Sequence, residues 1–195
     1  MTTYTRSLFR LLVLGAAALG AGLVSAAPTF RNIKPLPLIT ERPAAAIDAE
    51  TKKAFDAALA ACRELARDSG KAAEARAAFE ALVKAQTVEN LRVQALEAYA
   101  MFLYNDRARA FDAQALEAFD QLLALRGTLT SQVKTWLGLK QAVQVRQQQH
   151  AAAFETIMAR LAVPEQSADE IAALKRQAVE TLAAANRAAD AIALA

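Results

Sequence analysis

One histidine, one cysteine and a scatter of carboxylates are what this 195-residue chain offers to acid–base, nucleophilic or metal chemistry. His150 is the single imidazole, so any histidine-based relay has one candidate base. It follows Gln147, Gln148 and Gln149, and the next acid, Glu155, is five residues on, off the i+3 and i+4 positions that share a helix face. A general base needs a positioned partner, so His150 reads as a solvated or interface residue. Cys62 falls with Phe55, Leu59 and Ala66 at i, i+4, i+7 and i+11. That spacing places the sulfur on an apolar helix face, where a free cysteine behaves as a small hydrophobe. A bond between two chains is the alternative for an unpaired cysteine in an oxidising compartment.

The carboxylates select no site. Asp169 and Glu170 open a helix, where negative charge suits the macrodipole. Glu117 and Asp120 form an i,i+3 pair on a solvated face. Glycoside hydrolysis needs two acids across a cleft, and no pair stands out. His and Cys are too few for a metal centre, and no glycine-rich phosphate loop occurs. No catalytic, cofactor-binding or metal-binding residue is therefore assigned, and no cofactor is expected. The most distinctive surface signal is Tyr99-Ala-Met-Phe-Leu-Tyr104 followed by Asn105-Asp-Arg107-Ala-Arg109. Tyrosine, methionine and arginine are enriched at interfaces, which makes Tyr104, Arg107 and Arg109 the candidate interaction surface. The competing reading puts Tyr99 and Phe102 in a core and the arginines on a loop.

Helices must position these residues. Alanine fills 50 of 195 positions, and no proline lies between Ala44 and Val163. Gly70, Gly127 and Gly138 are too few to turn a set of hairpins, which excludes an all-β fold. The periodicity predicts an all-α chain of about six helices. Asp48 caps the first, 49–67, and Gly70 supplies a left-handed stop. The second spans 71–86. Thr87 caps the third, 88–105, whose apolar residues cover a broad arc and make it the central helix. The fourth runs 112–126, ended by Gly127. Thr128–Ser131 offers caps for the next segment. Residues 132–162 allow a hairpin broken near 146–150 or one continuous helix. The absence of Gly, Pro, Asn and Asp favours the continuous form. Pro164 ends it, and Ser167 with Glu170 forms a capping box for a long last helix, 168–193. The chain thus ends in a long antiparallel helical hairpin, 128–195, after two shorter hairpins, 48–127.

Ahead of the helices stands an address. Arg6 and Arg10 precede the apolar run 11–24, and Val24-Ser25-Ala26 offers a cleavage site, the order of a secretory signal peptide over 1–26. The run is too short for a membrane span, so export to the periplasm or beyond is expected, with no stable span after cleavage. Residues 27–47, with Pro28, Pro35, Pro37 and Pro43, read as an extended linker or a packed arm. Without the leader, 21 basic residues face 20 acidic ones. That balance carries no electrostatic footprint for nucleic acid.

The second and fourth helices repeat a pattern. Ala75-x3-Phe79-x2-Leu82 recurs 40 residues later as Ala115-x3-Phe119-x2-Leu122. This resembles the second helix of a tetratricopeptide repeat, in which a small residue, an aromatic and another small residue follow at these spacings. The likeness covers residues 50–125. A degenerate third copy extends it to 164 through Trp136, Leu139, Ala152 and Ala159. Leu82 and Leu122 stand where the last small residue would be, and the period exceeds the usual value of about 34. A helical-hairpin array and a generic bundle are both open. The resemblance implies a protein-binding scaffold with no fixed contact motif. The expected function is an exported, non-enzymatic interaction module, a scaffold, adaptor or assembly factor, whose partner is another protein or a peptide. The alternatives are a self-associating envelope-structural protein, joined through 132–193, and, as a third, a secreted hydrolase.

Overall fold

The computed structural model describes residue 30 and residues 46–125 and 130–194. The leader, most of the linker, and the stops and caps expected at 127–129 lie outside these. The described chain is all-α and contains eight α-helices: α1 (Ala49–Arg67), α2 (Ala72–Ala85), α3 (Glu89–Tyr104), α4 (Asp112–Ala124), α5 (Thr130–Arg146), α6 (His150–Leu161), α7 (Ala168–Ala184) and α8 (Ala188–Leu194). Each packs on its neighbours in sequence, and α1 also reaches α3. The odd-numbered helices start at residues 49, 89, 130 and 168 and the even-numbered at 72, 112, 150 and 188. Steps of 38 to 41 residues thus run through four helical hairpins. Packing chiefly between sequence neighbours at a near-constant period is compatible with a helical-repeat array.

Local chemistry explains most boundaries. The Asp48 carboxylate accepts from the Thr51 N–H at 2.8 Å, which starts α1. Phe55, Leu59 and Cys62 then form its buried stripe. The expected left-handed Gly70 is absent. Asp68 ends the helix instead, and its side chain accepts from Gly70 N–H at 2.9 Å within a 3₁₀ turn, Ser69–Lys71. Thr87 does not cap α3, which begins after Val88 without a side-chain cap. α3 buries Leu91, Ala95, Leu96, Tyr99, Ala100 and Leu103, the broad arc expected of a central helix. The Ser167–Glu170 capping box is present, with both reciprocal bonds.

The long C-terminal hairpin is corrected. Residues 132–162 form two helices, as do 168–193. Both breaks use the same geometry. Gln148 has φ 59°; its N–H donates to Val145 O, and Gln149 N–H donates to Gln144 O. Asn186 has φ 58°; its N–H donates to Ala183 O, and Arg187 N–H donates to Leu182 O. These are Schellman caps. A continuous helix through Val143 would carry Gln147 and His150 onto the buried face. The break instead inserts Ala153, Phe154 and Ile157 of α6.

The repeated pattern marks buried positions. Ala75, Phe79 and Leu82 are buried on α2, and Ala115, Phe119 and Leu122 on α4. Ala153 and Ile157 hold the first two of these places on α6. A small residue admits the neighbouring helix and the large one fills the space a turn later. Burying each large side chain contributes about 1.5–3 kcal/mol. The main core joins α1–α4 to Trp136 and Val143 of α5. A second core lies among α6, α7 and α8, and Phe30 packs against it with the Lys175 ammonium 5.2 Å from its ring. The proline-rich segment therefore supplies at least one anchoring side chain, as a packed arm would.

Candidate functional site

Where the first hairpin meets the second, the chain leaves an open groove of about 570 Å³. Its size falls in the range of ligand-binding clefts. Helical spacing builds the floor. Phe79 comes from the repeat position of α2, and Ala98, Met101 and Phe102 come from one face of α3. Phe79 and Phe102 lie 5.3 Å apart between ring centres, and Phe102 and Phe111 lie 6.2 Å apart. The three rings form a row that is apolar and polarisable. Met101 and Phe102 are half-buried, so the floor stays open to a partner.

The rim is charged and comes from two places: Arg63, Arg67 and Asp68 at the end of α1, and Asp106 and Arg107 in the α3–α4 turn. The acids are committed to backbone. Asp68 holds the Gly70 N–H, and Asp106 accepts from Ala110 N–H at 2.7 Å and Ala108 N–H at 3.3 Å. Arg67 is 2.5 Å from Glu64. Among the described residues, the Arg63 and Arg107 side chains make no hydrogen bond or ion pair, and both are exposed.

The structure divides the three expected surface residues. Arg107 lines the groove. Tyr104 is half-buried, with its ring edge-on to Phe119 at 6.4 Å and under the Arg146 guanidinium at 4.9 Å. Arg109 is exposed, takes a left-handed φ of 56°, and does not line the groove. Met101 and Phe102, from the same sequence segment, do line it. Tyr99 is buried as core; its hydroxyl donates to Glu80 at 2.8 Å. Burial and then the Glu80 carboxylate push the Tyr99 phenol well above its ordinary pKa.

The turn that carries Arg107 is clamped by a residue the sequence did not single out. Arg146, the last residue of α5, makes a two-pronged bond to Asp112, the first residue of α4. One prong is Nε to Oδ2 at 2.9 Å. A further N–H donates to Tyr104 O, at the end of α3, at 3.3 Å. Both charges suit their helix ends, an acid at an N-terminus and a base at a C-terminus. The partners are 34 residues apart, so no local spacing announces them.

The remaining reactive groups lie elsewhere. Cys62 is buried, and burial pushes its thiol pKa up, which suppresses the thiolate. His150 opens α6, away from the groove. Glu117 lines a second groove of about 340 Å³ between α2, α3 and α4. Glu80, Lys84 and Arg92 also line it, so its charges are mixed. Among the described residues no group of three or more His, Cys, Asp or Glu could hold a metal ion, and no helix is long and apolar enough to cross a membrane. The chain matches no protein-family model, no curated protein and no solved structure.

Proposed function

We propose that this chain is an exported, non-enzymatic protein–protein interaction module, a tetratricopeptide-like scaffold, adaptor or assembly factor that holds a partner segment in the groove between its first two hairpins. The observation that carries the reading is the groove itself, where the half-buried rings of Phe102 and Phe111 are bordered by Arg63 and Arg107, whose side chains have no partner among the described residues. Aromatic, methionine and arginine side chains concentrate binding energy at interfaces. The regular hairpin period supports it too, because such arrays offer extended binding surfaces. The leader pattern at 1–26 supports export. Self-association through 132–193 has less behind it. Leu174, Ala178 and Leu182 of the alanine-rich seam are already buried within the chain. Among the described residues, Val145, 43 % exposed, and Ile192, 79 % exposed, are the large apolar side chains left open there.

A photo-crosslinking residue in place of Met101, tested in the cells that make the protein, checks the proposal. A control probe replaces Lys175, far along the array. A discrete protein adduct from position 101 and none from 175 is expected. No adduct at 101, or the same adducts at both, would refute the groove. Light scattering addresses self-association, which a concentration-independent monomer eliminates.

A further inference from the structure

Building on the interaction reading, we infer that the groove selects an acidic segment, one apolar side chain flanked by aspartate or glutamate. The argument rests on what the rim leaves unsatisfied. A guanidinium has five N–H donors and no acceptor. Arg63 and Arg107 spend none of theirs on the described chain. The rim acids keep their charge, but neither pairs with these arginines: Asp68 accepts from the Gly70 N–H and Asp106 from the Ala108 and Ala110 N–H groups. Two whole guanidinium forks at the groove are therefore left without an acceptor among the described residues. The group that matches a planar donor fork is a carboxylate, held in two parallel bonds.

Two arginines on two elements call for two carboxylates. Arg63 belongs to α1 and Arg107 to the α3–α4 turn, with the half-buried rings of Phe102 and Phe111 in the same groove, backed by the buried Phe79. A chain terminus offers one carboxylate, so side-chain acids of an internal segment fit better. The apolar residue between them would rest on Phe102, Phe111 and Met101, whose flexible thioether adapts to varied shapes. The protein's own tether is a poor occupant. Residues 31–45 carry Arg31, Lys34 and Arg42 against Glu41 alone, so like charge would meet like.

Panning a random-peptide phage library on the full chain, and then on an R63E/R107E variant, tests this. Both side chains are exposed and make no bond to the described residues, so the variant should keep its helical circular dichroism. The expected peptides place acids on both sides of an aromatic or large aliphatic residue. A fluorescein-labelled synthetic copy should bind about tenfold more weakly to the variant, the sum of two exposed charge pairs, and should weaken with added salt. Enrichment of neutral or basic peptides, no enrichment, or an acidic binder indifferent to R63E/R107E would overturn the inference. So would tight binding of a synthetic 31–45 peptide. A partner caught at position 101 alongside a non-acidic library result leaves the interaction reading standing and removes only the partner chemistry.

Discussion

Replacing Arg146 with alanine should damage the fold more than any other single change outside the apolar core. The side chain makes two bonds to Asp112, one to Tyr104 O, and lies over the Tyr104 ring. Its removal strands a carboxylate that is only 7 % exposed. Breaking a buried ion pair on one side costs about 3–5 kcal/mol. Arg146 itself is 19 % exposed, so water reaches the pair and the lower end applies. The amino end of α4 still offers the stranded acid some support, of about 0.3–1 kcal/mol. A loss of about 3 kcal/mol follows, against a usual total of about 5–15 kcal/mol. For a chain of this size that is about 6–12 °C in Tm.

Asp112→Asn should cost less, because the freed guanidinium can stay on the tyrosine ring and reach water. Urea unfolding gives both numbers, followed by helical circular dichroism and by the fluorescence of Trp136. That indole is the only tryptophan, is buried on α5, and donates to Glu97 at 3.3 Å. The double variant completes a cycle that isolates the pair. An R146A loss below about 1 kcal/mol, or losses that simply add in the double variant, would show that the clamp is not formed as described.

Three further outcomes are expected. Gln148→Gly should stabilise by about 0.5–1 kcal/mol in urea melts, because glycine takes the left-handed φ without strain; a destabilised variant would place the α5–α6 break elsewhere. Tyr99→Phe should cost about 1 kcal/mol at neutral pH, the worth of a bond to a half-exposed carboxylate. Its folded-state pKa is raised, so the stability it confers is complete below its ordinary value of about 10 and is lost as pH rises beyond. The wild type should therefore lose stability faster than the variant above about pH 10, and parallel profiles there would remove the hydrogen bond. Phe30→Ala should cost about 1–2 kcal/mol, less than a fully buried phenylalanine. Its effect on hydrogen exchange should be confined to α6–α8, and uniform loosening would contradict the arm.

Legibility in the sequence followed the range of the interactions. Helix starts at Asp48 and Ser167 were readable because each cap acts over three residues. The Phe55, Leu59, Cys62 stripe and the Ala75 and Ala115 patterns were readable because burial imposes helical spacing. Asn186 was a local signal passed over, since asparagine is a recognised left-handed cap after glycine. Gln148 gave no such signal. There the cost of one strained residue was set against burying Gln147 and His150, a comparison that needs the packed neighbours. Gly70 misled for the opposite reason, because the Asp68 side chain supplied a turn with ordinary backbone. Arg107 could be picked from composition, yet its groove mates Arg63 and Phe79 lie on other helices.

The clamp and the groove are parts of one construction. The α3–α4 turn leaves α3 at Tyr104 and enters α4 at Asp112, and Arg146 binds both points. Between them the turn is tied internally by Asp106, and it presents Arg107 and Phe111 to the groove. A guanidinium from the third hairpin thus fixes the ends of a turn that shapes a site between the first two. Where each hairpin packs mainly on its sequence neighbours, the next hairpin supports its exposed end. The second hairpin's open turn is where that support arrives. It follows that R146A should weaken a groove ligand under conditions where the variant is still fully folded, because Arg107 and Phe111 lose their fixed spacing. R146K, which keeps the charge but loses the fork, should fall between. Should R146A bind a groove peptide as tightly as the wild type while melting at a lower temperature, the turn holds its shape unaided and the third hairpin serves stability alone.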